Sequence, residues 1–169
     1  MNHFQLLELE QKYDLDLAVV KARYLTKQTV YHPDKATNTN LQTEYLEKSM
    51  QLNEAYKILK DDYLRAEYML KLCGQDLSDK DLSVKLTPHE LEEIMEMHEE
   101  LDETDGIVEL TAMKSAKTKE KKLMAEKLAE YFAEEKITKA LDLTIRLKYL
   151  TNLVGNIKLK IKHANHLDK

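Results

Sequence analysis

Only five of the 169 residues are glycine or proline, three of the first and two of the second. They stand far apart, at Pro33, Gly74, Pro88, Gly106 and Gly155. These two residue types are the strongest local breakers of regular structure. A chain this poor in them cannot make the many tight turns of an all-β fold, nor a glycine-rich phosphate cradle. Between the breaks, Leu, Lys, Glu, Ala and Met dominate, all good helix formers. The expected fold class is all-α. Hydrophobic residues make up 43% of the chain and charged residues 34%, which excludes a wholly disordered chain.

The breaks and the apolar spacing predict the elements. A short helix over 3–9 carries Phe4, Leu6, Leu7 and Leu9. Asp16 caps a second helix over 17–31, whose apolar positions include Leu17, Val20, Tyr24, Leu25 and Tyr31. Pro33 ends it and pushes His32 out of the helical region. A polar loop follows over 34–40. A helix over 41–60 repeats Leu46, Met50, Leu52, Tyr56 and Leu59 at three- and four-residue steps, and another covers 63–72. Gly74 can close that helix from the left-handed region, and 74–86 is expected to be a linker. Thr87-Pro88-His89-Glu90 has the form of a capping box with proline at the first helical position, starting a helix that runs to Glu103. Further helices are expected over 107–133 and from Glu135 to Ala164.

Charge is unevenly spread. Residues 1–73 carry net −1, residues 74–110 net −11 and residues 111–169 net +7. The acidic block contains the periodic segment Leu91–Leu101, so it is more than a solvating tail. Two readings are open: the acidic middle and basic end pair within one bundle, or the acidic helix presents a face to a basic partner. The last helix also carries two apolar stripes. Ala140, Leu143, Leu147, Leu150, Val154, Ile157, Ile161 and Ala164 form one; Leu141, Ile145, Tyr149 and Leu153 form the other. On the acidic helix, Ile94, Met97 and Leu101 make one set, and Leu91 and Met95 a second. Second stripes are either core or a docking face, here Leu91, Met95 and Tyr149 rimmed by Glu96 and Glu99.

Chemistry is hard to place. No HExxH, GxSxG or P-loop occurs. Cys73 is the single cysteine, which excludes an internal disulfide framework or a cysteine-based zinc site and fits a reducing, cytoplasmic compartment. His89 and His98 are badly phased for a shared ligand, and His163 with His166 lacks a third. No stretch approaches 18 consecutive apolar residues, and the first 20 do not resemble a signal peptide. Neither membrane nor nucleic-acid binding is expected, and no cofactor or metal.

The tripeptide His32-Pro33-Asp34, followed by Lys35, is different. Proline fixes a corner that holds an imidazole and a carboxylate close together, and such a carboxylate can accept two hydrogen bonds from a partner's arginine. A plain helix-capping turn is the alternative reading. The run from Phe4 through Tyr13, Asp16, Arg23, Tyr24, Tyr31, His32, Pro33, Asp34 and Lys35 resembles a J-domain. With Leu52-Asn53-Glu54-Ala55-Tyr56 and Leu64-Arg65-Ala66-Glu67-Tyr68, and with the segments at 90–103 and 146–153, nearly the whole chain resembles the HscB family of J-type co-chaperones in iron–sulfur cluster assembly.

The resemblance implies a J-domain helical hairpin over 1–73, the linker 74–86, and a scaffold-binding three-helix bundle over 87–169 in an L-shaped arrangement. It implies a co-chaperone without its own active site. His32, Pro33, Asp34 and Lys35 would engage a heat-shock-type chaperone ATPase of the HscA/DnaK kind, helped by Lys21, Arg23 and Lys27. Leu91, Met95, Glu96, Glu99 and Tyr149 would face an IscU-like iron–sulfur scaffold protein. The chain would deliver that scaffold to the ATPase and stimulate hydrolysis; a general J-protein for unfolded clients is the alternative. The chain departs from the family at Asp61-Asp62-Tyr63, where a proline is common, and at Ala36, where an aromatic is usual.

Overall fold

The computed structural model describes residues 1–77 and 86–167, with side chains as far as Asn165. Among these residues there are α-helices and a 3-10 turn and no strand. The helices are α1 (His3–Leu6), α2 (Leu17–Val30), α3 (Thr39–Lys60), α4 (Asp62–Leu72), α5 (Pro88–Glu103), α6 (Ile107–Ala133) and α7 (Ile137–Leu167). The 3-10 turn is Pro33–Lys35. The chain divides into two compact units, Met1–Met69 and Leu70–Lys169. Of the linker expected over 74–86, residues 78–85 lie outside the described residues. No described helix is long and apolar enough to cross a membrane.

In the first unit, Asp16 caps α2 as expected, its carboxylate accepting from the Ala18 and Val19 amides at 2.8 and 3.4 Å. α2 and α3 form the hairpin. Val20 from α2 and Leu52, Ala55 and Leu59 from α3 are fully buried, together with Phe4 and Leu7. Leu46 and Met50 were expected on the apolar side of α3, yet they are 50% and 63% exposed. A hairpin helix buries one face, and the arc through Leu52, Ala55 and Leu59 leaves those two outside it. The loop expected over 34–40 is also shorter. Asn38 caps α3 by accepting from the Leu41 amide at 2.9 Å, so α3 starts two residues before the expected boundary.

At the α3–α4 junction, where the family proline is missing, an aspartate cap defines the boundary. Asp61 is extended, and its carboxylate accepts from the Leu64 amide at 2.9 Å, which caps α4. At the other end of α4, Gly74 has φ of 80°. The amides of Gly74 and Gln75 reach back to the carbonyls of Lys71 and Leu70 at 3.0 and 2.9 Å, a Schellman closure.

The second unit is built on α6 and α7, with α5 laid against α7. Leu101, Leu110, Leu150, Leu153 and Ile157 form a buried cluster, and Met97, Met113, Met124 and Ile161 pack against it. α7 starts at Ile137 and not at Glu135, because Glu135 sits in the left-handed region at φ of 56° and ends α6 instead. On α7 the first stripe is core at Ala140, Leu147, Leu150, Val154 and Ile157. The second stripe is split: Ile145 and Leu153 are buried, whereas Leu141 and Tyr149 are half-buried. Broad burial of a helix held on two sides accounts for the first pair and leaves Tyr149 at a margin.

Candidate functional site

Two sites can be built from the residues upward, one in each unit. The first is the corner between α2 and α3. His32 is extended (φ −67°, ψ 128°), as the following proline requires. Its Nδ1 accepts from the Asp34 amide at 3.3 Å. The Lys35 amide donates to the His32 carbonyl at 2.9 Å and the Ala36 amide to the Pro33 carbonyl at 3.1 Å, which closes the 3-10 turn. The ring of Tyr31 meets that of Tyr45 edge-on at 5.6 Å and braces the corner from α3. The Asp34 carboxylate projects outward, 86% exposed, with the His32 ring beside it at 3.6 Å as its one ionic neighbour among the described residues. It caps nothing; the turn is held by backbone groups and by the imidazole.

The cations around this unit are not equivalent. Lys21 and Lys35 are exposed. Arg23 and Lys27 both reach Glu8, at 3.2 and 2.8 Å. Glu8 occupies the left-handed position that ends α1, at φ of 55°. The hydrogen bond from Lys27, then its charge, hold the Glu8 carboxyl below its ordinary range. Sequence reading did not single out Glu8, since nothing local marks a partner 15 or 19 residues away.

The second site is α5 against α7. Thr87 and Glu90 form the expected reciprocal cap: the Thr87 amide donates to Glu90 Oε2 at 2.6 Å, and the Glu90 amide to Thr87 Oγ1 at 3.3 Å. Glu90 also accepts from Arg146 of α7. At the opposite end, Lys160 of α7 donates to the carbonyls of Leu101 and Asp102 at 2.8 and 2.9 Å and pairs with Asp105 at 3.0 Å. A cation near the helix C-terminus complements its dipole. Two α7 cations therefore clamp the acidic helix at its two ends. Only Leu101 of α5 is buried.

Between the clamps lies a cleft of about 100 Å³, floored by Ile94, Met97, Met124, Tyr149, Leu150 and Leu153. Tyr149 thus joins the inward residues of α5. Leu91 and Met95 occupy a neighbouring face of the helix, Leu91 half-buried and Met95 62% exposed, with Glu96 and Glu99 exposed beside them. Neither Leu91 nor Met95 lines the cleft. Among the described residues no cluster of His, Cys, Asp or Glu is placed to hold a metal ion.

Comparison with known proteins matches each unit separately. A DnaJ-domain family model matches residues 2–68, and one described as the HSCB C-terminal oligomerisation domain matches residues 87–158. A co-chaperone protein HscB homolog of Shewanella sp. strain MR-4 is 35% identical over 163 residues, covering 90% of this chain and 92% of the relative. The chain belongs to the HscB co-chaperone family. Human co-chaperone HscB superposes with a TM-score of 0.86 at 25% identity, covering 95% of this chain and 82% of that one. HscB from Vibrio cholerae gives 0.80 at 27% identity, covering 94% and 96%. The HPD corner is thus the J-domain corner of an HscB-type protein, and the α5–α7 face belongs to its C-terminal domain.

The clamp has a pH signature. The backbone hydrogen bond from Thr87, its hydroxyl and then the Arg146 guanidinium hold the Glu90 carboxyl down at about 2, against an ordinary 4.5. A depressed folded-state value adds stability that is fully present above 4.5 and is lost as pH falls through about 2. In a Glu90→Gln variant the thermal midpoint of the C-terminal unit should therefore lie below wild type at neutral pH. The gap should close as pH is lowered through this window. An equal gap at pH 7 and at about pH 2 would rule out this linkage.

Proposed function

We propose that this HscB-type chain is a cytoplasmic adaptor of iron–sulfur cluster assembly with no active site of its own. Its C-terminal unit captures an IscU-like scaffold protein. Its HPD corner docks on an HscA/DnaK-like chaperone ATPase and stimulates ATP hydrolysis. The observation that carries this reading is the Asp34 carboxylate, held outward on a turn whose own hydrogen bonds do not use it. A carboxylate so presented suits a partner's guanidinium, which it can engage through two charge-assisted hydrogen bonds. Lys21 and Lys35 supply exposed positive charge on the same unit, suited to an acidic surface of the ATPase. Arg23 and Lys27 would contribute after exchanging Glu8 for a partner's acid.

Leu91, Met95 and Tyr149, rimmed by Glu96 and Glu99, are the proposed scaffold face. Joining scaffold capture to ATPase docking in one chain raises the scaffold's effective concentration at the chaperone. The docking biases the ATPase only so far as Asp34 and its neighbours make better contacts with one of its states than another.

Leu91→Ala and Tyr149→Ala should each weaken scaffold binding about tenfold, the equivalent of roughly 1.4 kcal/mol. Isothermal titration of an IscU-like scaffold onto the full chain measures this. Unchanged affinity in both, with unfolded clients stimulating hydrolysis as well as the scaffold does, would favour a general J-protein.

A further inference from the structure

We propose that the cleft between α5 and α7 is a socket for one aliphatic side chain of the scaffold protein, presented beside a lysine or arginine. This rests on the scaffold-binding reading above and adds a site to it, on the inward side of the acidic helix. The cleft holds about 100 Å³. An apolar cavity of about 150 Å³ suffices to take up benzene, so this one suits a single Leu-, Ile- or Met-sized group and excludes a helix. Its walls include Met97 and Met124, whose unbranched, polarisable side chains repack readily around an incoming group.

The mouth favours a cation next to that group. Glu90, Glu93, His98 and Glu120 line the cleft together with Arg146, and Lys117 pairs with Glu120, so three carboxylates meet two fixed positive charges. Two of the three are engaged: Glu90 with Arg146, and Glu120 with Lys117 at 3.2 Å. Among the described residues Glu93 pairs with the His89 ring alone, at 3.5 Å. It is the carboxylate left for a partner's cation. Tyr149 makes the cleft continuous with the proposed scaffold face, since its half-buried ring lines the cleft from α7.

The test is titration of an IscU-like scaffold protein onto the full chain and its variants. Met97→Trp fills the cleft from within and should weaken binding at least tenfold. Glu93→Lys reverses the free rim charge without touching the core, and should weaken binding severalfold at low salt and less at high salt. Met97 and Met124 methyl resonances should shift on scaffold addition. If Met97→Trp and Glu93→Lys bind normally while Leu91→Ala and Tyr149→Ala do not, the cleft is empty in the complex and this proposal fails, while the scaffold reading stands. If no variant weakens binding, both fail. If Met97→Trp does not fold, Glu93→Lys and the methyl shifts decide. If Glu93→Lys alters self-association of the chain and leaves scaffold affinity unchanged, the cleft belongs to a second copy and the proposal is overturned.

Discussion

Asp34→Asn should reduce stimulation of the chaperone ATPase to near its basal rate while leaving the fold and scaffold binding intact. The substitution is nearly isosteric, and every contact that holds the turn survives it. The Asp34 amide still donates to His32 Nδ1, the Lys35 amide to the His32 carbonyl and the Ala36 amide to the Pro33 carbonyl. The thermal midpoint should therefore stay within about 4 °C, because surface substitutions away from caps and cores usually stay within about 0.5 kcal/mol. What changes is charge. Hydrogen bonds to an ionised group contribute roughly 1.5–3 kcal/mol each, and an amide offers a guanidinium one acceptor and a repelling donor in place of two acceptors. Loss of one such bond in the productive complex is about a tenfold effect or more. A single-turnover hydrolysis assay with the HscA/DnaK-like partner reads it directly. Asp34→Glu carries the charge but displaces it by one methylene, and should restore only part of the stimulation. Stimulation by the Asn variant equal to wild type would remove the corner from the mechanism.

Most helix starts and stops were legible because their causes are local. Asp16, Thr87 with Glu90, Gly74 and Pro33 each act within about four residues, and each does what its chemistry requires. The 3-4 spacing on α7 likewise encodes its own buried face. Two local signals were missed, the Asn38 cap that starts α3 at Thr39 and the left-handed Glu135 that delays α7 to Ile137; the other failures are non-local. Leu46 and Met50 match the period of α3, but which side of a periodic helix is covered depends on its neighbours. Glu8, Arg146 and Lys160 act across 15 to 59 residues, and no window of sequence contains both partners. The acidic block illustrates both sides. Charge counting could show that 74–110 and 111–169 complement each other, but not which acids are engaged within the bundle. Glu90 is spent within the bundle on Arg146, whereas Glu96 and Glu99 remain outside. Tyr149 was recognised as a candidate from its stripe and from resemblance; that it lines a cleft with Ile94 and Met97 needs the phase of α5 against α7.

Arg65→Met should destabilise the J-domain unit by about 3 kcal/mol. The Arg65 side chain is only 5% exposed, yet it carries a charge. It is affordable there because three segments converge on it. Its guanidinium donates to the Leu59 carbonyl at 2.6 Å, at the end of α3, and to Asp62 at 2.7 Å, in the first turn of α4. Its third neighbour is the Tyr13 ring, 4.6 Å from the guanidinium carbon, in the segment that leads into α2. Tyr13 is itself 3% exposed and donates through its hydroxyl to the Asp62 carbonyl at 3.0 Å. Methionine fills similar space but leaves the Leu59 carbonyl without this donor and Asp62 without its cation. Removing one member of a buried pair costs about 3–5 kcal/mol; the low end applies because Asp62 is 41% exposed and can rehydrate. Total stability for a unit of this length is roughly 3–10 kcal/mol, so the substitution removes a large part of it. At about 4–8 °C per kcal/mol for a domain of this size, the first thermal transition should fall by at least about 12 °C. Circular dichroism of the full chain, with the C-terminal unit as internal reference, measures this. Arg65→Lys retains a charge but cannot span both acceptors in a fixed fork, and should fall between. ATPase stimulation by Arg65→Met should track the folded fraction of the unit: normal well below the shifted midpoint and lost above it, because Arg65 holds the hairpin that presents Asp34 and touches no partner itself. A midpoint lowered by less than about 3 °C would mean that water satisfies these groups as well as the guanidinium does.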